Sequence, residues 1–274
     1  MPSPSEITVP QLARLIGTPS SPVILDVRID EDFALDPDYI PTAFRHPFKQ
    51  VEQLVDRLQS HHVVVYCQKG KKISQGAGAI LKSCGIKAET LEGGHFAWRD
   101  KGQPLVPDSK LSPLFRNGSD RTVWVTRHRP KIDRIACPWL IKRFVDPNAR
   151  FLFVSPSEVL DVAEKFDAIP FDVEDIHFSH RGDACTFDTM IEEFGLCTPE
   201  LLHLATIVRG ADTNRHDLSA QSAGLLAASL GFSRMYRDDL QQLDASLPLY
   251  DAFYRWCRDA TNENHDWPTN SGGK

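Results

Sequence analysis

The chain lacks paired cysteines, long apolar runs and an excess of positive charge, and each lack removes a class of protein. Its six cysteines, Cys67, Cys84, Cys137, Cys185, Cys197 and Cys257, are scattered over 274 residues. No two form a Cys-x-x-Cys unit, which argues against a zinc ribbon. In a reducing compartment most of them are expected to be free thiols, at least four of them plain buried side chains. No stretch approaches the roughly 20 apolar residues of a membrane span. The start, residues 1–10, is polar and Pro-rich with no apolar core of a signal peptide. A cytoplasmic protein with no membrane partner is therefore expected. The formal net charge of −6 and the lack of a recognisable DNA-reading motif argue against a nucleic-acid partner.

What is present is an ordinary globular balance, 41% hydrophobic and 25% charged, at a length that fits one large or two medium domains. Turn formers gather at Lys101-Gly-Gln-Pro, Ser112-Pro and Asn117-Gly-Ser, and place a linker at about residues 107–120. The chain then divides into residues 1–108, residues 120–262 and a polar tail, 263–274, read as flexible.

In the first half, short apolar runs at 23–27 and 63–66 read as buried strands. Residues 51–58 have helical spacing. Ile73, Ala77, Ile80, Leu81 and Cys84 mark one helix face, with Gly85 as its stop. Residues 87–91 read as a third strand. Alternating strands and helices predict a parallel sheet covered on both faces. The second half reads as mainly α (α+β): strands at 122–126 and 151–154, a capping-box helix start at Ser155-Pro-Ser-Glu158, and another start at Thr198-Pro199. An apolar helix is expected over 219–230, ended by Gly231, and two helices over 236–259, divided at Pro248.

The segment richest in chemistry is Val63-Val-Val-Tyr-Cys67-Gln-Lys-Gly-Lys-Lys72. A buried strand ends at a cysteine, a short loop follows, and a helix begins. Backbone amides in such a loop, with a helix N-terminus behind it, form an anion cradle. The same field favours the thiolate of a cysteine placed in it. Cys67 is thus a candidate nucleophile, with Gln68, Lys69, Gly70, Lys71 and Lys72 as the substrate-binding loop. Asp26 and Arg28 read as a structural pair at a strand end, holding the loop.

This half resembles the rhodanese family over about residues 8–106. The resemblance is carried by Val23-Ile-Leu-Asp26-Val-Arg28 followed by acidic residues and Phe33, then Tyr39-Ile-Pro41-Thr-Ala43, the Cys67 segment, and Leu91-Glu-Gly93-Gly94-His-Phe-Ala-Trp98. It implies an α/β rhodanese-like domain with a parallel sheet. It also implies a sulfurtransferase that carries sulfane sulfur on Cys67 as a persulfide, with no cofactor. The implied partners are a small anionic donor such as thiosulfate and a thiol acceptor. The loop is of the short sulfurtransferase length rather than that of the phosphatase relatives. Tyr39 and Thr42 stand where the family usually has His and Gly. Lys72 and Ile73 stand where Thr or Arg and then Ser or Ala are common.

The second half offers Arg127-His-Arg129-Pro-Lys131-Ile-Asp133-Arg134, a basic run before a helix that could hold an oxyanion, although such runs are more often salt-bridged faces. His177, His180, Asp188, Asp212 and His216 lie in two clusters rich in metal-ligand types. His177 and His180 are an odd number of positions apart, so on one strand they would face opposite ways. A set of His180, Asp188 and Asp212, with Asp133 or His216 as a further member, would suit iron, manganese or zinc. Ordinary capping by the same side chains competes with that reading.

The half also resembles the chromate-resistance protein family from about 123 to 257. The carrying segments include Arg129-Pro-Lys-Ile-Asp133-Arg-Ile-Ala-Cys137-Pro-Trp139, Pro170-Phe-Asp172, Ser179-His180-Arg-Gly-Asp-Ala-Cys185-Thr-Phe187 and Ile207-Val-Arg209-Gly-Ala-Asp212. The resemblance implies a link to chromate or oxidative stress. The expectation is a sulfurtransferase joined to a metal- or oxyanion-binding domain. Two alternatives are a chromate-responsive sensor or regulator, and a metal-dependent, superoxide-removing enzyme in the second half.

Overall fold

Tight alternation along one strand organises the first half. Val63, Val65 and Cys67 pack into one hydrophobic cluster, while Val64 and Tyr66 point into another, as successive strand side chains must. Both faces of that strand are thus buried, which explains its unbroken apolar run. The computed structural model describes residues 5–263; the expected flexible tail lies almost wholly outside the described residues.

The first half runs β1 (Glu6–Ile7), α1 (Val9–Leu15), β2 (Val23–Asp26), α2 (Asp30–Leu35), β3 (Asp38–Tyr39), β4 (Phe44–Arg45), α3 (Val55–Leu58), β5 (His62–Tyr66), α4 (Lys72–Ser83), β6 (Lys87–Leu91), α5 (Gly94–Asp100) and β7 (Val106–Pro107). Five strands form a parallel sheet in the order β1-β6-β5-β2-β4, with β5 at its centre. α4 and the segment of 3-10 turn and short helix over 48–58 cover one face. α1 and α5 contribute Leu12 and Trp98 to the other. Thr8 caps α1 in a reciprocal box with Gln11. Residues 51–58 form a 3-10 turn leading into α3 rather than one helix. Cys84, expected on the buried face of α4, is its half-buried C-terminal cap.

The second half runs α6 (Asp108–Leu111), β8 (Val123–Arg127), α7 (Asp133–Leu140), β9 (Arg150–Val154), α8 (Val159–Lys165), β10 (Ile169–Pro170), α9 (Thr186–Glu193), α10 (Pro199–Asp212), α11 (Ser222–Met235) and α12 (Asp239–Asp259). A three-stranded parallel sheet, β10-β8-β9, supports this helix-rich region. Thr198 caps α10 by accepting from Leu201 N. Ser155 makes no side-chain cap, and residues 156–158 form a 3-10 turn before α8. α11 continues through Gly231 to Met235, because one exposed glycine costs only about 1 kcal/mol in a helix. α12 is a single helix through Pro248. Both Pro248 and Asp244 are exposed, so water can satisfy the carbonyl that the missing amide leaves free.

The expected linker is not a loose tether. β7 pairs with β3, and Leu111 and Leu114 are buried in the large core that the two halves share. The halves also meet at the turn after α1. There a side chain on Gly17 would collide with Phe144 and Tyr254, and Arg258 donates to the carbonyl of Arg14 at 3.1 Å. Across the same face Thr42 N donates to Phe144 O at 3.1 Å.

Candidate functional site

Cys67 follows the last residue of β5, at the C-terminal end of the central strand, the place where open α/β sheets bind ligands. Its side chain continues the parity of Val63 and Val65 and is almost enclosed, at 5% exposure. The loop behind it is fixed by backbone bonds. His95 N and Phe96 N, at the start of α5, donate to Cys67 O and Gln68 O at 3.0 and 3.1 Å. Gly70 and Gly94 both take positive φ, and a Cβ on Gly94 would lie 2.1 Å from Cys67 O and 2.4 Å from Gly70 N. Gly94 is therefore a requirement of close backbone approach, while at Gly93 an added Cβ would lie 2.5 Å from the Ala97 side chain. The amides of residues 69–72 have no hydrogen-bond acceptor among the described residues. They remain available to an anion, together with the first turn of α4.

The predicted loop residues separate into two kinds. Lys69, Lys71 and Lys72 are exposed around the loop, whereas Gln68 and Gly70 are buried. The Gln68 Oε1 atom has no hydrogen-bond partner among the described residues. Ile73 packs against the cluster under α4. Ser74, which the sequence reading passed over, is fully buried with its Oγ 3.2 Å from Cys67 Sγ. Its position in the first turn of α4, one turn beyond the loop, was the available signal. Asp26 and Arg28 form a fully buried pair at 2.6 Å. Arg28 also donates to Asp36 O and Asp38 O at 2.8 and 2.7 Å. The pair thus fixes the turn after β2, and Arg28 also lies over the ring of Tyr66, the residue before Cys67, at 5.6 Å.

The second half has a centre of its own. Asp133 opens α7, His180 lies in the loop before α9, and Asp212 ends α10. One donor atom from each falls within 4.8 Å of the other two. His180 Nε2 stands 3.4 Å from carboxylate oxygens of Asp133, Asp172 and Asp212. These contacts raise the His180 imidazole to about 12, with Asp133 the largest cause. Burial first, and then the neighbouring carboxylates against the pull of His180, leave Asp133 at about 6. Although burial opposes it, His180 and Arg127 hold Asp172 below the usual carboxylate range.

Each carboxylate is oriented by a different segment. Asp133 accepts from Thr186 N at 2.6 Å and Phe187 N at 3.2 Å, at the start of α9. Asp172 accepts from Arg127 at 2.9 Å and Thr186 Oγ1 at 3.0 Å, with Arg134 at 3.3 Å. The set expected from sequence changes accordingly. His180 and Asp212 do meet, and Asp133 joins them. Asp188 instead caps α9, accepting from Cys185 N at 3.0 Å, and pairs with Arg209 at 2.7 Å. His216 lies in a separate 3-10 turn after α10 has ended, so the four-residue helical spacing to Asp212 is lost. His177 pairs with Glu193. The basic run is salt-bridged rather than open. Arg127 and Arg134 face Asp172, and Arg129 donates to Ser233 O and Tyr236 O.

Comparison with known proteins matches both halves separately. The rhodanese-like domain family matches residues 8–101, and the ChrB C-terminal domain family matches residues 124–257. Protein ChrB of Cupriavidus metallidurans is 32% identical over 198 residues, which is 67% of this chain and 59% of that protein. The chain therefore aligns with little more than half the length of that relative. Among solved structures, a rhodanese-related protein from Thermoplasma volcanium is 24% identical, covering 37% of this chain and 96% of that one, with a TM-score of 0.32. A Rhodopseudomonas palustris protein of unknown function, described as a possible tyrosine phosphatase, is 25% identical over 37% of this chain and 83% of its own, also at 0.32.

Proposed function

We propose that residues 8–101, which match the rhodanese-like domain family, form a sulfurtransferase with Cys67 as its sulfur carrier, joined to a region, 124–257, that matches the ChrB C-terminal domain family. The supporting observation is the position of Cys67, at the end of the central strand and beneath a pinned loop whose amides at 69–72 have no partner among the described residues. In the first step the Cys67 thiolate attacks the outer sulfur of thiosulfate. A sulfur–sulfur bond forms at Cys67 Sγ, the one in thiosulfate breaks, and sulfite leaves with the electron pair. Loop amides and the three lysines stabilise the anions on either side of that transfer. A thiol or other nucleophile then takes the outer sulfur and regenerates the thiolate. Ser74 Oγ lies 3.2 Å from Cys67 Sγ and 3.2 Å from Lys71 O, so its single O–H can turn from the loop carbonyl to the sulfur when Cys67 is a thiolate.

The second domain would set this chemistry in a response to chromate or oxidative stress, and its centre is chemically separate from Cys67. The test is sulfur transfer from thiosulfate to cyanide by the purified chain beside Cys67→Ser. Wild-type activity that vanishes in the variant supports the reading. No persulfide on the wild type with any sulfane donor, in a folded protein, would remove it. Cys67-dependent hydrolysis of an aryl phosphate, with no sulfur transfer, would favour a phosphatase instead.

A further inference from the structure

We propose that Asp133, His180 and Asp212 hold one divalent cation of the manganese, iron or zinc class, with coordination positions left open for water or a substrate. His180 Nε2 lies 3.4 Å from Asp133 Oδ2 and 3.4 Å from Asp212 Oδ2, beyond the roughly 2.7–3.2 Å of an N–H···O hydrogen bond. Two atoms each bound about 2.1 Å from a shared ion at a tetrahedral angle are separated by about 3.4 Å. The spacing fits ligands around a shared ion, and although Asp172 Oδ1 lies equally far from His180, only Asp133, His180 and Asp212 bring donor atoms that are all within 4.8 Å of one another.

Charge points the same way. Asp172 is met by Arg127 and Arg134 at 2.9 and 3.3 Å and falls outside the set of mutually close donor atoms. Asp133 and Asp212, by contrast, have no Lys or Arg in ion-pair contact among the described residues, and share His180 alone. An ion that displaces the proton of His180 would meet two carboxylates and a neutral imidazole, which balance a double positive charge.

The surroundings suit such a centre. Asp133 is 1% exposed and fixed by two amides of α9, while the His180 and Asp212 side chains are 40% and 20% exposed. One wall is rigid and the other open to solvent. One nitrogen and two carboxylate oxygens, with no thiolate, match the borderline divalent metals rather than copper(I). Three protein ligands are the number found where a metal keeps an exchangeable position. An oxyanion site in the same place is disfavoured by the three converging carboxylates. The inference is independent of sulfur transfer at Cys67, and either reading can fail alone.

The experiment titrates the full chain, freed of metal by a chelator, with Mn2+, Zn2+ and Co2+. One ion per chain is expected. The Co2+ complex should show visible bands without a near-ultraviolet thiolate band. His180→Ala and Asp212→Asn should each weaken binding by at least about tenfold, with folding checked by circular dichroism and sulfur transfer retained. His216→Ala should bind as the wild type does. A wild-type chain that takes up none of the three ions, wild-type affinity in both ligand variants, or a thiolate band in the Co2+ complex would each overturn the proposal.

Discussion

The Cys67 loop is made from consecutive residues, whereas the Asp133, His180 and Asp212 centre is made from three segments that meet only in the folded chain. In the first, strand, loop and helix follow one another, and the strand parity that buries Val63 and Val65 also directs Cys67. In the second, α7, α10 and the loop before α9 each deliver one side chain. A local device of the first kind tolerates change elsewhere but depends on its own backbone. A device of the second kind depends on how the helices dock. Variants that separate backbone approach from tertiary docking therefore test the contrast.

The largest effect is expected at Gly94. In Gly94→Ala the new methyl would lie 2.1 Å from Cys67 O, at φ +61. Left-handed strain plus a backbone collision should cost about 3 kcal/mol, read as a lower urea midpoint, and sulfur transfer should fall by more than about tenfold. Gly85→Ala is the matched control. Its φ is +83 but nothing lies within 4 Å of the added atom, so only the strain, about 1 kcal/mol, should remain. Equal costs at the two glycines would mean that Gly94 does not pin the loop.

The same contrast explains what could be read from the sequence. The three central strands of the first half were legible nearly to their limits, since residues 87–91 form β6 as expected and 63–66 lie within β5, whereas the two-residue edge strands β1 and β4 gave no signal. Buried parallel strands are short, apolar and bounded by turn formers, so local pattern and global fold agree there. The strand, loop and helix around Cys67 were legible because they are contiguous. The Asp133, His180 and Asp212 cluster was only partly so. His180 and Asp212 were named, yet Asp188, equally rich in signal, proved to be a helix cap. An aspartate three residues into a helix looks the same on paper whether it caps or ligates. Asp172 gave no signal, because its role is set by Arg127 and Arg134 from another segment. Helix limits failed where exposure, not residue type, decided them, as at Gly231 and Pro248.

A smaller effect should follow at Glu193, which ties the segment between the halves to the loop that carries His180. Lys110 and Arg181 meet its carboxylate at 2.7 and 2.8 Å. Against the upward push of burial, these partners bring it down to about 2. The side chain is 12% exposed while its partners are half open to solvent, so we expect about 1 kcal/mol from the network. A carboxyl with a lowered folded-state value stabilises above its ordinary value of 4.5, and that contribution is lost as pH falls toward 2. Glu193→Gln should lower the urea midpoint at neutral pH and flatten its decline between those limits. A parallel decline in both proteins would show that the tie contributes nothing. Sulfur transfer should be unchanged, since the Cys67 loop does not draw on this docking.

The smallest effect, and one of opposite sign, is expected where the two halves touch the same backbone turn. Thr42 stands where rhodanese sequences usually have glycine, and it takes φ +67, a conformation that a β-branched residue adopts at a cost of about 1–2 kcal/mol. Its amide donates to Phe144 O at 3.1 Å, so docking of the second half on the first holds the strained turn in place. Thr42→Gly keeps that N–H and releases the strain, but adds freedom to the unfolded chain, worth about 0.5–1 kcal/mol. The balance is a gain of about 0.5 kcal/mol, measurable as a higher urea midpoint with an unchanged slope. If Thr42→Gly instead destabilises the chain, the threonine side chain contributes to the junction in its own right, and the departure from the family pattern is a feature of the docked pair rather than a tolerated strain.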